Sequence, residues 1–287
     1  MEFIWLYLLA LTVGVALGKT EKLKPVSKAL PYVTGMLIFI IGVWAGNEIR
    51  SLMVIASLVL GSLEILIPST LAGYIIALGF ERKTSRKRGS YSKRAKAPFL
   101  FLSAAILGWA LGSLIVVPSA ESLVTDLLIT LVIVIGIDMG PSITISSFKR
   151  DLKNSWIPFS ALSGALIGGL ISSAVFGINV KFALASSAGL GWYSLDGPLL
   201  SSIFGPDLGM IAFLSNFLRE QLTFFLVPLL RNQKGVALLT LGGCTTMDDT
   251  LSLYASTLGD EYKELALFNG LILSLIIPFL IPGILAL

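Results

Sequence analysis

Long apolar runs separated by short polar connections dominate the chain. Runs at 3–18, 30–46, 52–79, 98–117, 156–176, 208–230 and 265–287 are each long enough, or nearly so, to cross a hydrocarbon core, which takes about 20 apolar residues as helix. The run at 52–79 is a full span, and 3–18 is a little short. Two further stretches break the pattern. GLGWYSLDGPLLSSIFGPD at 189–207 holds four glycines, two prolines and two aspartates, and LTLGGCTTMDDTLSLYAST at 239–257 has the same character. Non-helical backbone is tolerated at membrane depth only where it is buried in protein or lines a water-filled cavity. Both stretches are therefore predicted to line one. Broken helices of this kind occur in pairs of opposite orientation in secondary transporters, and the two loosely share an ALxxS/T…G pattern at 183–189 and 237–243.

Composition agrees with this pattern. Of 287 residues, 55% are hydrophobic and 13% charged, with a mean hydropathy of +0.88, which excludes a soluble domain. Residues 1–287 are read as one polytopic transmembrane domain of all-α class. The flank MEF carries Glu2 and no Lys or Arg, so the first run reads as a retained span, not a cleaved signal.

Charge sets the orientation. Lys and Arg collect at 19–28, 82–96 and 149–153, whereas the alternate connections hold only Arg50 and Lys181. Basic loops mark the cytoplasmic side, which places both termini outside in a prokaryotic plasma membrane. The broken stretches leave two topologies. If both span, there are ten crossings and Arg231 and Lys234 fall outside. If both are re-entrant, there are eight crossings, and eighteen basic residues lie inside against two outside. The second arrangement is the one expected: about eight transmembrane helices and two re-entrant elements of opposite orientation. The run RKTSRKRGSYSKRAK at 82–96 is read as a topogenic, lipid-facing loop, and no nucleic-acid partner is expected. Cys244 is the sole cysteine, so no intramolecular disulfide or multi-cysteine metal site is expected.

Carboxylates inside apolar runs carry the chemistry. Asp138, Asp196, Glu220, Asp248 and Asp249 all lie within or beside such runs, with one base, Arg219, at similar depth. Each acid facing lipid at mid-membrane would cost about 2.5–3.5 kcal/mol. They are therefore predicted to face a polar interior whose excess negative charge suits a cation or protons. Asn216 and Thr223 share a helical face with Glu220. Arg219 sits about 100° round the helix from Glu220, so pairing between them is not assumed. The remaining cavity candidates are Trp192, Tyr193, Ser194, Thr245 and Thr246. Each has a structural alternative: Asp196 as a turn cap in SLDGP, Asp138 as an interfacial cap, Glu220 or Asp248 as a buried ion pair with Arg219, and the aromatics as interfacial anchors. Glu64 and Asp126 lie nearer span ends and are read as structural.

Enzymatic readings fare poorly. The chain has no histidine, hence no Ser-His-Asp triad, HExxH zinc site or imidazole relay. It has no GxxxxGK[ST] phosphate loop for ATP-driven transport in this chain. An intramembrane aspartyl protease is the rival from another class, with Asp138 and Asp196 as its pair, but the GxGD signature is absent and the acids are too many. A channel fits paired re-entrant elements less well than alternating access does. No cofactor or metal is expected, the driving force being a proton or ion gradient.

The GWYSLDGPL stretch, the NFLRE helix and the GGCTTMDDTL element, in this order and spacing, resemble the lysine exporter family of prokaryotes. The resemblance is strongest over 130–285. It implies export of L-lysine and close cationic analogues from the cytoplasm, through an intramembrane acidic pair that falls on Glu220 and Asp248. It also implies eight spans with both termini outside. Whether Asp249 shares the role of Asp248 stays open, as does the group that meets the substrate carboxylate: Arg219 or a half-helix N-terminus. The mechanism expected is proton antiport. A cation/proton antiporter, or an exporter of another amino acid or organic cation, is the alternative.

Overall fold

The computed structural model describes residues 2–48, 52–80, 97–140, 154–231, 235–247, 249–259 and 261–287, and every regular element among them is helical. In chain order these are α1 (Glu2–Gly18), a 3-10 segment (Glu21–Ala29), α2 (Leu30–Glu48), α3 (Leu52–Phe80), α4 (Ala97–Leu114) and α5 (Ala120–Met139). There follow α6 (Trp156–Phe176), α7 (Val180–Ala188), α8 (Tyr193–Phe204), α9 (Pro206–Leu229), α10 (Leu239–Gly242), a 3-10 turn (Gly243–Met247), α11 (Leu251–Leu258) and α12 (Glu261–Ala286). Four stretches, Ala56–Phe80, Trp156–Phe176, Pro206–Leu229 and Tyr262–Ala286, are long and apolar enough to cross a membrane. Shorter apolar helices occupy Trp5–Gly18, Tyr32–Asn47, Ser103–Leu114 and Ser122–Ile137. Large apolar side chains such as Trp5, Leu9, Ile75, Phe159 and Phe225 stand exposed on their outer faces, as lipid-facing surface requires.

Glycine brings the first six membrane helices together in three pairs. Gly14 and Gly18 of α1 meet Gly136 and Gly140 at the end of α5, and Gly42 and Gly46 of α2 meet Gly108 and Gly112 of α4. A Cβ at any of these would collide with the backbone of the partner helix, the close approach that small residues four apart allow in membranes. In both pairs the contacts advance together along the two helices, so each pair is parallel. α3 and α6 are antiparallel: Gly73 meets Gly164, Ser69 meets Gly168, and Ser172 Oγ donates to Glu64 O at 2.7 Å.

Where α8 ends decides between eight and ten crossings. Phe182, at the start of α7, packs edge-on against Phe204, at the end of α8, with ring centroids 5.5 Å apart. The element therefore leaves by the face it entered. Ile211, early in α9, accordingly touches Gly61, early in α3, and the two helices run in the same direction. At the other end of the bundle, Gly235 lies against the hydroxyl of Tyr262 at the start of α12. The stretch 235–259 thus also returns to its own side. Among the described residues, four long and four shorter apolar helices are thus arranged as eight crossings with two re-entrant elements inserted from opposite faces, the arrangement that the charge distribution favours.

Local chemistry shapes the first of these elements. α6 stops at Gly177, whose φ of 71° places it in the left-handed region and whose N–H donates to Ser173 O, a common helix ending. Asn179 then caps α7 by accepting the N–H of Phe182 at 3.1 Å. α7 ends at Ala188, α8 starts at Tyr193, and Gly205 with Pro206 turns the chain into α9.

Candidate functional site

The tips of the two re-entrant elements touch inside the bundle. Cys244 N–H donates to Leu190 O at 3.0 Å. Both tips use the left-handed region: φ is 48° at Leu190, 95° at Gly191 and 59° at Gly243. A Cβ at Gly243 would strike Leu190 O, so the crossing needs glycine there. The C-terminal ends of α7 and α10 and the N-terminal ends of α8 and α11 converge on this point. Each brings a partial charge, negative from the first two and positive from the last two.

Polar side chains from the following helices hold the exposed backbone ends. Asn216 of α9 accepts Gly191 N–H at 2.7 Å and donates to Ser186 O at 3.1 Å. Arg219, one turn further, donates from Nε to Leu241 O at 3.0 Å and from Nη2 to Thr240 O at 2.8 Å. Asn269 of α12 donates to Gly243 O at 3.0 Å and to Thr246 Oγ1 at 3.1 Å. Tyr254 donates from its hydroxyl to Leu238 O at 2.8 Å. A buried carbonyl without a donor costs about 1–3 kcal/mol, so these side chains are what makes two half-helix ends tolerable in the core.

Two buried acids flank the side chains that hold this crossing. Glu220 lies on α9, 0% exposed, one turn beyond Asn216. Asp196 is also 0% exposed. It sits in the first turn of α8, where a carboxylate complements the helix dipole, and its Oδ2 accepts from Asn216 Nδ2 at 2.7 Å. SLDGP is therefore helical, and Asp196 is not a turn cap. Asp249 is half-buried just ahead of α11. Asp248 lies outside the described residues. Asp138 falls in the last turn of α5, its side chain likewise outside the description.

The hydroxyls predicted to line a cavity turn back onto the tip. Thr245 Oγ1 donates to Gly242 O at 3.0 Å, and Thr246 Oγ1 to Gly243 O at 2.8 Å. Tyr193 packs edge-on against Phe213 and Phe217, with centroids 5.6 and 5.9 Å away. Trp192 and Ser194 are half-buried beside it, and all three sit at the break, far from either end of the element. They are not interfacial anchors. Thr223 Oγ1, predicted to share the polar face of Glu220, donates to Arg219 O at 2.8 Å. Glu64 is half-buried and Asp126 exposed.

Sequence reading passed over Asn269, Tyr254 and Tyr7, all buried. Asn269 had a signal, an amide in the otherwise apolar run ALFNGLILSL. Its position in the second helix also matches that of Asn216 in the first: each follows a re-entrant element and grips that element's tip.

Comparison with known proteins places this architecture. The chain matches the family described as "Lysine exporter LysO" over residues 102–285. It is 28% identical over 287 residues to "Lysine exporter LysO" of Escherichia coli (strain K12), covering 96% of each chain. It is 30% identical over 177 residues to "Putative lysine exporter" of Haemophilus influenzae, covering 61% of this chain and 90% of that one. No solved structure matches it. With more than half of its length matched, and with the crossing of re-entrant tips inside the matched part, the chain belongs to the lysine exporter family.

Proposed function

We propose that the protein is a secondary active transporter that carries L-lysine and close cationic analogues out of the cytoplasm by proton antiport across a prokaryotic plasma membrane. One observation supports this above the others. Buried carboxylates, Glu220 and Asp196, sit where two re-entrant tips cross, and the guanidinium of Arg219 beside them is bonded to the carbonyls of Thr240 and Leu241. Negative charge held at depth favours a cationic passenger. Broken elements entering from opposite faces are the usual frame of alternating access, and the family and the names of its members point to lysine.

In the mechanism proposed, Glu220 and Asp248 form the coupling pair and Asp249 stands next to it. A carboxylate site holds a proton or the substrate ammonium, and not both well. Lysine leaving against an inside-negative potential costs roughly 2.3 kcal/mol per 100 mV for its net charge, which entering protons supply. The substrate carboxylate is assigned to the N-terminal end of α8 or α11, because Arg219 is already engaged with carbonyls. Asp138, Asn216, Trp192, Tyr193, Ser194, Thr245 and Thr246 complete the proposed cavity, with protons and surrounding lipid as the only other partners. No step calls for a cofactor, a metal or enzymatic chemistry.

The test is transport by purified protein in proteoliposomes. An imposed pH difference is expected to drive radiolabelled lysine uphill, opposite to the protons, and a protonophore is expected to stop it. A channel would dissipate a lysine gradient and never build one. Uphill movement that survives the protonophore with the potential clamped, or none in a preparation that exchanges lysine, overturns proton antiport.

The proposed orientation has both termini outside and 231–234 inside. Single cysteines at Gln233 and Ala286 in a Cys244→Ala background are expected to split: a membrane-impermeant thiol reagent on intact cells labels 286 and spares 233. Labelling of both overturns the orientation.

A further inference from the structure

Three oxygens crowd one nitrogen behind the first tip. Asn216 Nδ2 stands 2.7 Å from Asp196 Oδ2, 3.1 Å from Ser186 O and 3.1 Å from Ala212 O. An amide nitrogen carries two N–H groups, so three acceptors compete for two donors. A further acceptor belongs to the same carboxylate: Asp196 is 0% exposed, and its Oδ1 has no hydrogen-bond partner among the described residues. Ser186 O is also one of the last carbonyls of α7, the end at which the helix dipole is negative.

Asp196 lies against the tip backbone itself. A Cβ at Gly189 would come within 2.9 Å of Asp196 Cγ, and within 2.7 and 2.9 Å of Asn216 Nδ2 and Oδ1. Glycine there is what lets the carboxylate and the carboxamide sit side by side at the break. The donor that Asp196 does have is a neutral amide, and Arg219 spends its Nε and Nη2 on Leu241 O and Thr240 O. A buried carboxylate in such company lacks both positive charge and donors. An ammonium group supplies one charge and three donors at once.

We infer that Asp196 is the substrate-sensing group of the first re-entrant element: its Oδ1 takes an ammonium group of the exported cation, and Asn216 passes that occupancy on to the tip. This rests on the lysine-export reading. Asn216 is placed to transmit it, because its Oδ1 accepts Gly191 N–H at 2.7 Å while its Nδ2 is divided between Asp196 and Ser186 O. An ammonium that neutralises Asp196 weakens the pull on Nδ2, whose N–H then serves Ser186 O. One side chain thereby holds the chain before the break and after it, and the tip stiffens. Asp196 binds; Asn216 is a positioning residue.

Purified protein in detergent tests this, with lysine affinity and the rate of Cys244 alkylation as paired readouts. Cys244 is buried and bonded through its N–H to Leu190 O, so its thiol reports on the first tip. In wild type, saturating lysine is expected to slow alkylation several-fold. In Asp196→Asn, lysine affinity is expected to fall about tenfold or more, the scale of a lost charged hydrogen bond, and protection is expected to vanish at lysine concentrations that saturate wild type. Asn216→Ala is expected to separate the two readouts: lysine still binds within a few-fold of wild type, yet no longer slows alkylation. If Asp196→Asn does not fold, Asp196→Ser, which the start of a helix accepts, decides on the same readouts. Wild-type lysine affinity in the Asp196 variant, or protection that persists in Asn216→Ala, overturns the inference. So does equal protection by sodium chloride, since the occupant would then be a metal cation. Wild-type protein that neither binds nor exchanges lysine would fail the export reading itself, before any variant is compared.

Discussion

Glu220→Gln is expected to abolish proton-coupled export, lowering the rate by about 10²-fold or more, as loss of a proton-transferring group does. Glu220 is fully buried on α9, between Arg219 and the segment that reaches Thr223. Glutamine has the same length and hydrogen-bonding reach, so the helix and its packing stay, and only the charge and the exchangeable proton go. Asp248→Asn is expected to behave alike, as its proposed partner in the pair. Membrane insertion and thermal stability are measured alongside transport. Near-normal export by both variants would refute the assignment. Failure of either variant to fold would instead favour a structural role for that residue, such as a buried ion pair.

Arg219→Leu should lose stability as well as transport. Its guanidinium, 2% exposed, donates to Thr240 O and Leu241 O. Leucine leaves both carbonyls in a dry interior. At about 1–3 kcal/mol for each unsatisfied group the cost is roughly 3 kcal/mol or more, a large part of a typical net stability of about 5–15 kcal/mol. The damage should be local to the second re-entrant element, whose tip holds the buried Cys244. Two readouts follow: a lower unfolding temperature and faster alkylation of Cys244 in folded protein. Arg219→Lys, with a single ammonium, should fall in between. A wild-type melting temperature and wild-type thiol protection in Arg219→Leu would show that the bonds to α10 contribute nothing.

Much of this was legible in the sequence because membranes simplify the rules. Apolar length gave the crossing helices, and the count of basic loops favoured re-entrance for 181–206 and 235–258, which the contacts Phe182–Phe204 and Gly235–Tyr262 bear out. What sequence could not give was partnership. Sequence offers Arg219 as a counterion or a substrate anchor because it is the one base among acids, yet its Nε and Nη2 donate to two carbonyls that are freed only where α10 ends at Gly242. Sequence offers Thr245 and Thr246 as cavity hydroxyls but not the carbonyls of Gly242 and Gly243 to which they donate, since a threonine at a broken tip has nearby backbone to satisfy. Tyr7 gives no signal at all, since nothing in the apolar run of α1 says that its hydroxyl is buried.

Asn216 grips the tip of the element that enters from one face, and Arg219, on the next turn, grips the tip that enters from the other. The two tips are also joined directly, Cys244 N–H to Leu190 O. They are geared to a common shaft. A tilt of α9 would therefore move both tips at once, and in the transporter proposed above that shared grip would tie the opening of one face to the closing of the other.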